Sequence, residues 1–183
     1  MKNLSGGFAF FPLLVVFAVV AISYPFYWFY NQSTLSFDVD ATALAIDQQV
    51  SKNSEIRSIK IESLEIDLPV KKSRIVGGNW EYFSDSASHL GLSVRPFDNG
   101  NIVIFAKSRE GLFDELIFIK KGDMVEVTTA DGFVNIYEVK EYHEVAPYDS
   151  EYVTPKDLEV LTLFTDSGPF SIKRFVVLAY PVN

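Results

Sequence analysis

The stretch VLTLFTDSGPFSIKRFVVLAYPV, residues 160–182, decides the fold. Leu158–Thr165 and Arg174–Tyr180 are apolar runs separated by a Gly168-Pro169 turn signal, so the region reads as two strands joined by a loop. Working toward the N-terminus, Met124–Thr129 and Phe133–Tyr142 flank Asp131-Gly132, and Asp-Gly between alternating apolar residues is a strong hairpin signal. Asn101–Phe105 (NIVIF) follows the turn formers Asp98, Asn99 and Gly100 and is apolar on both faces, as a central strand is. Ile59, Ile61, Leu64, Ile66 and Leu68 alternate nearly regularly up to Pro69 and give a first strand or pair of strands. The sum is an all-β domain of about seven or eight strands. A short helix around Trp80–Ala87 and a turn at Gly111–Leu116 are the other local features expected.

Composition narrows the function. With 183 residues, 48% hydrophobic and 22% charged, the chain is long and apolar enough for one folded domain with a sizeable core. It carries 16 Lys and Arg against 24 Asp and Glu, a net charge of −8 without a long basic cluster, which excludes a nucleic-acid partner. There is no cysteine, so disulfides, thiolate metal sites and every cysteine-nucleophile mechanism are ruled out. His89 and His143 have no ligand spacing, and both read as ordinary structural residues. Neither Gly6-Gly7 nor Gly77-Gly78 leads into a phosphate-binding loop, so no metal and no cofactor are expected. Ser108, Ser167 and Ser171 lack the Gly-x-Ser-x-Gly elbow of a serine hydrolase. Trp80, Tyr82 and Phe83 read as core packing at a barrel edge, with a recognition surface as the alternative.

Residues 8–30, FAFFPLLVVFAVVAISYPFYWFY, carry no charge and would span about 34 Å as a helix, enough to cross a bilayer. Bulky aromatics follow the apolar run where a signal peptide would need small residues, so an uncleaved signal-anchor is expected. Lys2 precedes the span while Asp38, Asp40 and Asp47 follow it, which places the terminus in the cytoplasm and the C-terminal domain outside. The expected organisation is a cytoplasmic tail (1–7), a transmembrane anchor (8–30), a polar stalk (31–57) and a β domain (58–183).

Three segments, in order, resemble the sortase family of membrane-anchored transpeptidases. IKIESLEIDLPV, residues 59–70, resembles its first strands. HLGLSVRPFDNGNIVIFAKSREGLFDELIFIKKGDMVEV, residues 89–127, resembles its Gly-Asn-x-apolar-Ile-apolar-Ala-His segment followed by Leu-Phe-x-x-Leu and Lys-x-Gly-Asp. The closing stretch resembles its Leu-Thr-Leu-x-Thr-Cys, a loop and then Arg. The resemblance implies a closed barrel of about eight strands with short helices. It also implies a site in which a Cys attacks a peptide carbonyl, a His handles protons and an Arg stabilises the oxyanion. Here the Cys position is Asp166, the His position is Lys107, and the Arg is kept as Arg174.

A carboxylate is a poor nucleophile toward amides, and lysine normally titrates near 10.4, so the family's thioester chemistry is not expected. The resemblance therefore implies a pseudoenzyme that binds or scaffolds surface polypeptides, or partners an active sortase, through Lys107, Asp166 and Arg174. Locally, Lys107 and Asp166 at neighbouring strand ends would form a salt bridge. They would otherwise join Arg174 in a ligand groove or condense into an isopeptide cross-link. An enzyme using Asp166 and Lys107 as acid and base, and a purely structural surface protein, are the rival readings.

Overall fold

β1 (Ile56–Ile61) and β2 (Ile66–Ser73) pair antiparallel around a 3-10 turn at Glu62–Leu64, which Glu65 closes in the left-handed region at φ 55. The computed structural model describes residues 15, 19–21, 23, 24, 35–44 and 55–182. After β2 come a small hairpin of β3 (Ile75–Val76) and β4 (Asn79–Trp80), then β5 (Ala87–Leu90) and β6 (Asn101–Phe105). The chain continues through β7 (Met124–Thr129), β8 (Val134–Val145), β9 (Val160–Ser167) and β10 (Lys173–Pro181). Eight of these strands close a barrel in the order β1-β2-β5-β6-β9-β10-β8-β7. The pairs β2–β5 and β6–β9 are parallel and the rest antiparallel. The all-β domain expected from the strand pattern and the closed barrel that the resemblance implies are thus present, and Asp131-Gly132 turns the β7–β8 hairpin with Gly132 at φ 91.

Side-chain alternation along the strands builds two apolar clusters. Ile59, Ile104, Val127, Tyr137, Leu163 and Val177, each fully buried, belong to the cluster that fills the barrel. Val103 and Phe105 on β6, Phe164 on β9 and Val176 on β10 point to the opposite face and form a second cluster outside it. This explains why residues 102–105 of NIVIF are apolar without alternation: β6 is covered on both faces. A buried core at roughly 25 cal/mol per Å² is what offsets the chain entropy of ordering such a domain.

Two local expectations differ from the structure. The short helix expected around Trp80–Ala87 is absent; β4, bends and β5 occupy that region. Trp80 is drawn into the outer cluster at 2% exposure, and Asp85 is tied to the Lys71 ammonium at 2.8 Å, so tertiary contacts override local helix preference. Within the expected stalk, Leu35, Phe37 and Leu44 are buried in the outer cluster, and α1 (Ala41–Leu44) starts where Asp40 accepts the N–H of Thr42 at 2.9 Å. The expected span at 8–30 lies outside the described residues apart from isolated positions. Among the described residues no helix is long and apolar enough to cross a membrane.

Candidate functional site

The register of β9 against β10 sets Asp166 opposite Arg174. Parallel pairing of β6 with β9 continues one residue beyond β6, where the Ala106 N–H donates to the Phe164 carbonyl at 3.3 Å, so Lys107 emerges beside Asp166. The three residues singled out in the sequence therefore share one end of the barrel, brought together from segments 59 and 67 residues apart along the chain by strand pairing alone.

Asp166 is 9% exposed. One carboxylate oxygen accepts the backbone N–H of Ser108 at 2.9 Å and the other accepts the Ser171 hydroxyl at 2.6 Å. Burial pushes its pKa up, but the bonds from Ser171 and Ser108, helped by the positive charge of Lys107, outweigh that and hold it below the usual carboxylate value. Asp166 is thus an ionised acceptor whose lone pairs are aimed at neutral donors. Lys107 extends over the Tyr82 ring, with its Nζ 5.0 Å from the centroid. Burial pulls its pKa down and the Asp166 charge opposes the shift. Lys71–Asp85 and Lys173–Glu144 are ion pairs at the surface, and the positive charge of Lys107 favours the ionised form of Asp166.

Arg174 is buried at 4% exposure. Its Nη1 donates to the carbonyls of Ser171 and Lys173, both at 2.8 Å, while Nε and Nη2 fork onto the carbonyl of Ser36 at 3.2 and 2.9 Å. Burial lowers its pKa and Asp166 opposes the shift, yet a guanidinium starts so high that it stays charged. Between Asp166 and Arg174 the loop carries Gly168 at φ 72 and two non-glycine residues, Phe170 at φ 57 and Ser171 at φ 56, in the left-handed region. Each such residue costs about 1–2 kcal/mol. Asp166 grips the Ser171 side chain and Arg174 grips its carbonyl, and these bonds offset the strain.

The outer cluster adjoins this end. Phe105 and Phe164 stack with centroids 5.0 Å apart, and Trp80 meets both edge-on at 5.4 and 5.7 Å. The fourth ring is Phe37, at 5.0 Å from Phe164 and 6.2 Å from Trp80. Sequence reasoning missed Ser36 and Phe37; the signal was a Leu-x-Phe alternation among small polar residues. Tyr82 lies at the site beneath Lys107, whereas Trp80 is core. His89 is 4% exposed, its Nε2 lies 3.0 Å from the Val94 carbonyl, and burial pulls its pKa down to about 4, so it is a neutral packing residue. His143 is surface-exposed beside Glu141.

Chemically, the site holds an ionised carboxylate, a partly desolvated ammonium and a guanidinium already engaged with peptide carbonyls. It contains donors and charges suited to holding a peptide backbone, and no thiol. The same barrel fold occurs in known structures. Sortase A from Corynebacterium diphtheriae is similar over 74% of this chain, with 26% identity and a TM-score of 0.60; the match spans 64% of that chain, just under two thirds of it. Pilus-related sortase C of Group B Streptococcus matches over 84% of each chain at 23% identity and a TM-score of 0.61. A Clostridium perfringens sortase D5 transpeptidase matches over 72% of this chain and 82% of its own at 21% identity and a TM-score of 0.60. No curated protein sequence matches the chain. The sortase domain model covers residues 59–182, from β1 to the end of β10. By that match, which takes in well over half of its length, the chain belongs to the sortase family.

Proposed function

We propose that this protein is a sortase-like pseudoenzyme that binds or scaffolds surface polypeptides at the Lys107, Asp166 and Arg174 end of the barrel without transpeptidation. The observation that carries the reading is Asp166. Standing at the family's cysteine position, it is an ionised carboxylate clamped by Ser108 and Ser171, which is a latch for a loop and not a leaving group for an acyl transfer. Lys107, at the histidine position, is a cation stacked on Tyr82 and suited to receiving a carboxylate or carbonyl. Residues 8–30 serve as a single-pass anchor that presents the domain outside the cell membrane, where its partners are surface polypeptides or an active sortase.

A second reading, acid–base chemistry on an ester or glycan by Asp166 and Lys107, draws support from the lowered pKa of Lys107, since burial moves an ammonium toward a usable base. One experiment separates the two. Intact mass of the full-length protein in detergent is followed with a peptide pool and an amine acceptor, beside the Lys107→His/Asp166→Cys variant. Covalent adducts formed by the variant alone support the binding reading, and adducts or processed peptides with the natural protein overturn it. An intact mass short by one water before any incubation would instead reveal a Lys107–Asp166 isopeptide.

A further inference from the structure

Resting on that reading, we infer that the outer face of the barrel beside Arg174 recognises an extended peptide with an aliphatic residue followed, two positions later, by an aromatic one, the intervening carbonyl being held by Arg174. The occupant's chemistry is written in the chain itself. Leu35 and Phe37 are 0% and 2% exposed against the outer face of the barrel, while Ser36 between them directs its carbonyl to the Arg174 fork. Residues i and i+2 on one side with a carbonyl taken at the middle residue are the signature of an extended segment bound as a ligand is bound. Phe105 and Phe164 of the barrel and Trp80 of the β3–β4 hairpin make a three-ring box, and the segment contributes only the ring that fills it.

The fit of this internal occupant is incomplete. The indole Nε1–H of Trp80 is buried and has no acceptor among the described residues, a deficit that costs about 1–3 kcal/mol when a donor is left unpaired. The segment supplies a phenylalanine, which fills the box without satisfying that donor. Outside the box, a single strand-like bond, Asp38 N–H to the Pro147 carbonyl at 2.7 Å, is recorded between the segment and the β8–β9 connection. A peptide of the same pattern supplied by another polypeptide makes the same contacts, and it binds by exchanging with residues 35–37.

The probe is a fluorescein-labelled peptide Thr-Leu-Ser-Phe-Asp-Val-Asp, the sequence of residues 34–40, together with a version carrying Ala for Phe. Anisotropy is measured with the full-length protein in detergent, natural and Phe37→Leu, the variant keeping apolar bulk but vacating the ring site. The aromatic probe binds Phe37→Leu about tenfold or more tighter than the natural protein, and the Ala probe binds that variant about tenfold weaker. Arg174→Lys in the Phe37→Leu background, which keeps the charge but loses the fork, weakens the aromatic probe roughly threefold to tenfold. Equal binding of the two probes overturns the inference. A pooled peptide of another pattern captured while both probes are refused overturns it too, and leaves the binding reading standing; capture of no peptide at all overturns both. Should Phe37→Leu fail to fold, amide exchange of the natural protein decides: saturating aromatic probe speeds exchange at residues 35–38, and unchanged exchange overturns the inference.

Discussion

Arg174 on β10 forks onto the carbonyl of Ser36, a residue 138 positions earlier in the chain, at 2.9 and 3.2 Å. Its guanidinium also donates to the carbonyls of Ser171, in the loop before β10, and of Lys173, so backbone carbonyls of at least three described residues depend on one buried side chain.

Replacing Arg174 with Gln therefore removes the charged donor of several part-buried carbonyls at once. The expected loss is about 2–4 kcal/mol, because bonds to charged groups are worth more than neutral ones and several are lost together. Urea denaturation gives the loss, and amide exchange at Asp38 should accelerate in the native state. A variant as stable as the natural protein, with unchanged exchange, would show that the fork positions nothing.

Asp166 is expected to govern the loop at 167–173. Asp166→Ala removes the acceptor for Ser108 N–H and for the Ser171 hydroxyl and leaves the left-handed Phe170 and Ser171 without their latch. A destabilisation of about 1–3 kcal/mol follows, with faster protease cleavage in the loop. Asp166→Asn keeps one acceptor oxygen and should lose less. Were Asn and Ala equally costly, the negative charge and not the latch would be the stabilising feature.

His89 sets a pH dependence. Its folded pKa lies at about 4 against 6.5 in the unfolded chain, because burial disfavours the imidazolium. Between those values the unfolded state binds a proton that the folded state refuses, so stability falls as pH drops from 6.5 toward 4. The lost stabilisation is on the order of 3 kcal/mol. Denaturation midpoints at pH 7 and pH 4.5 test this. The His89→Gln variant should show a shallower decline than the natural protein, and equal slopes would remove His89 from the account.

Asn101 is expected to be the costliest polar residue to truncate. Its side-chain N–H groups donate to the carbonyls of Tyr152 and Thr154 at 2.8 and 3.0 Å, and its oxygen accepts the Thr162 hydroxyl at 2.7 Å, all at 1% exposure. Asn101→Ala should cost about 3 kcal/mol or more and loosen the β8–β9 connection, since the two carbonyls lose a buried donor. Chemical denaturation measures the loss; a cost below roughly 1 kcal/mol would mean that water replaces the amide.

Strand pattern and turn chemistry are local, and they were legible. Asp131-Gly132 marks the β7–β8 hairpin, and NIVIF marks a strand buried on both faces. The Trp80–Ala87 region was misread because a tryptophan that docks into a remote cluster obeys the cluster and not its neighbours. Lys107, Asp166 and Arg174 could be singled out since each stands at a strand end within a recognisable run. Ser108 and Ser171 flank the site in the sequence, but their bonds to Asp166 depend on a backbone N–H direction and a left-handed loop that no residue type announces.

The sequence by itself determined the barrel's strands and the absence of a thiol, and it singled out Asp166 and Lys107 where the resemblance implies a Cys and a His. These follow from residue identity and short-range periodicity. Only the tertiary structure decided that Leu35, Ser36 and Phe37 lie on the outer face of β6, β9 and β10, with Arg174 holding the carbonyl between them. Such a docking is a match of shape and hydrogen-bonding groups between segments far apart in the chain. Its energy comes from burial and from a satisfied guanidinium, and neither exists until the barrel has closed.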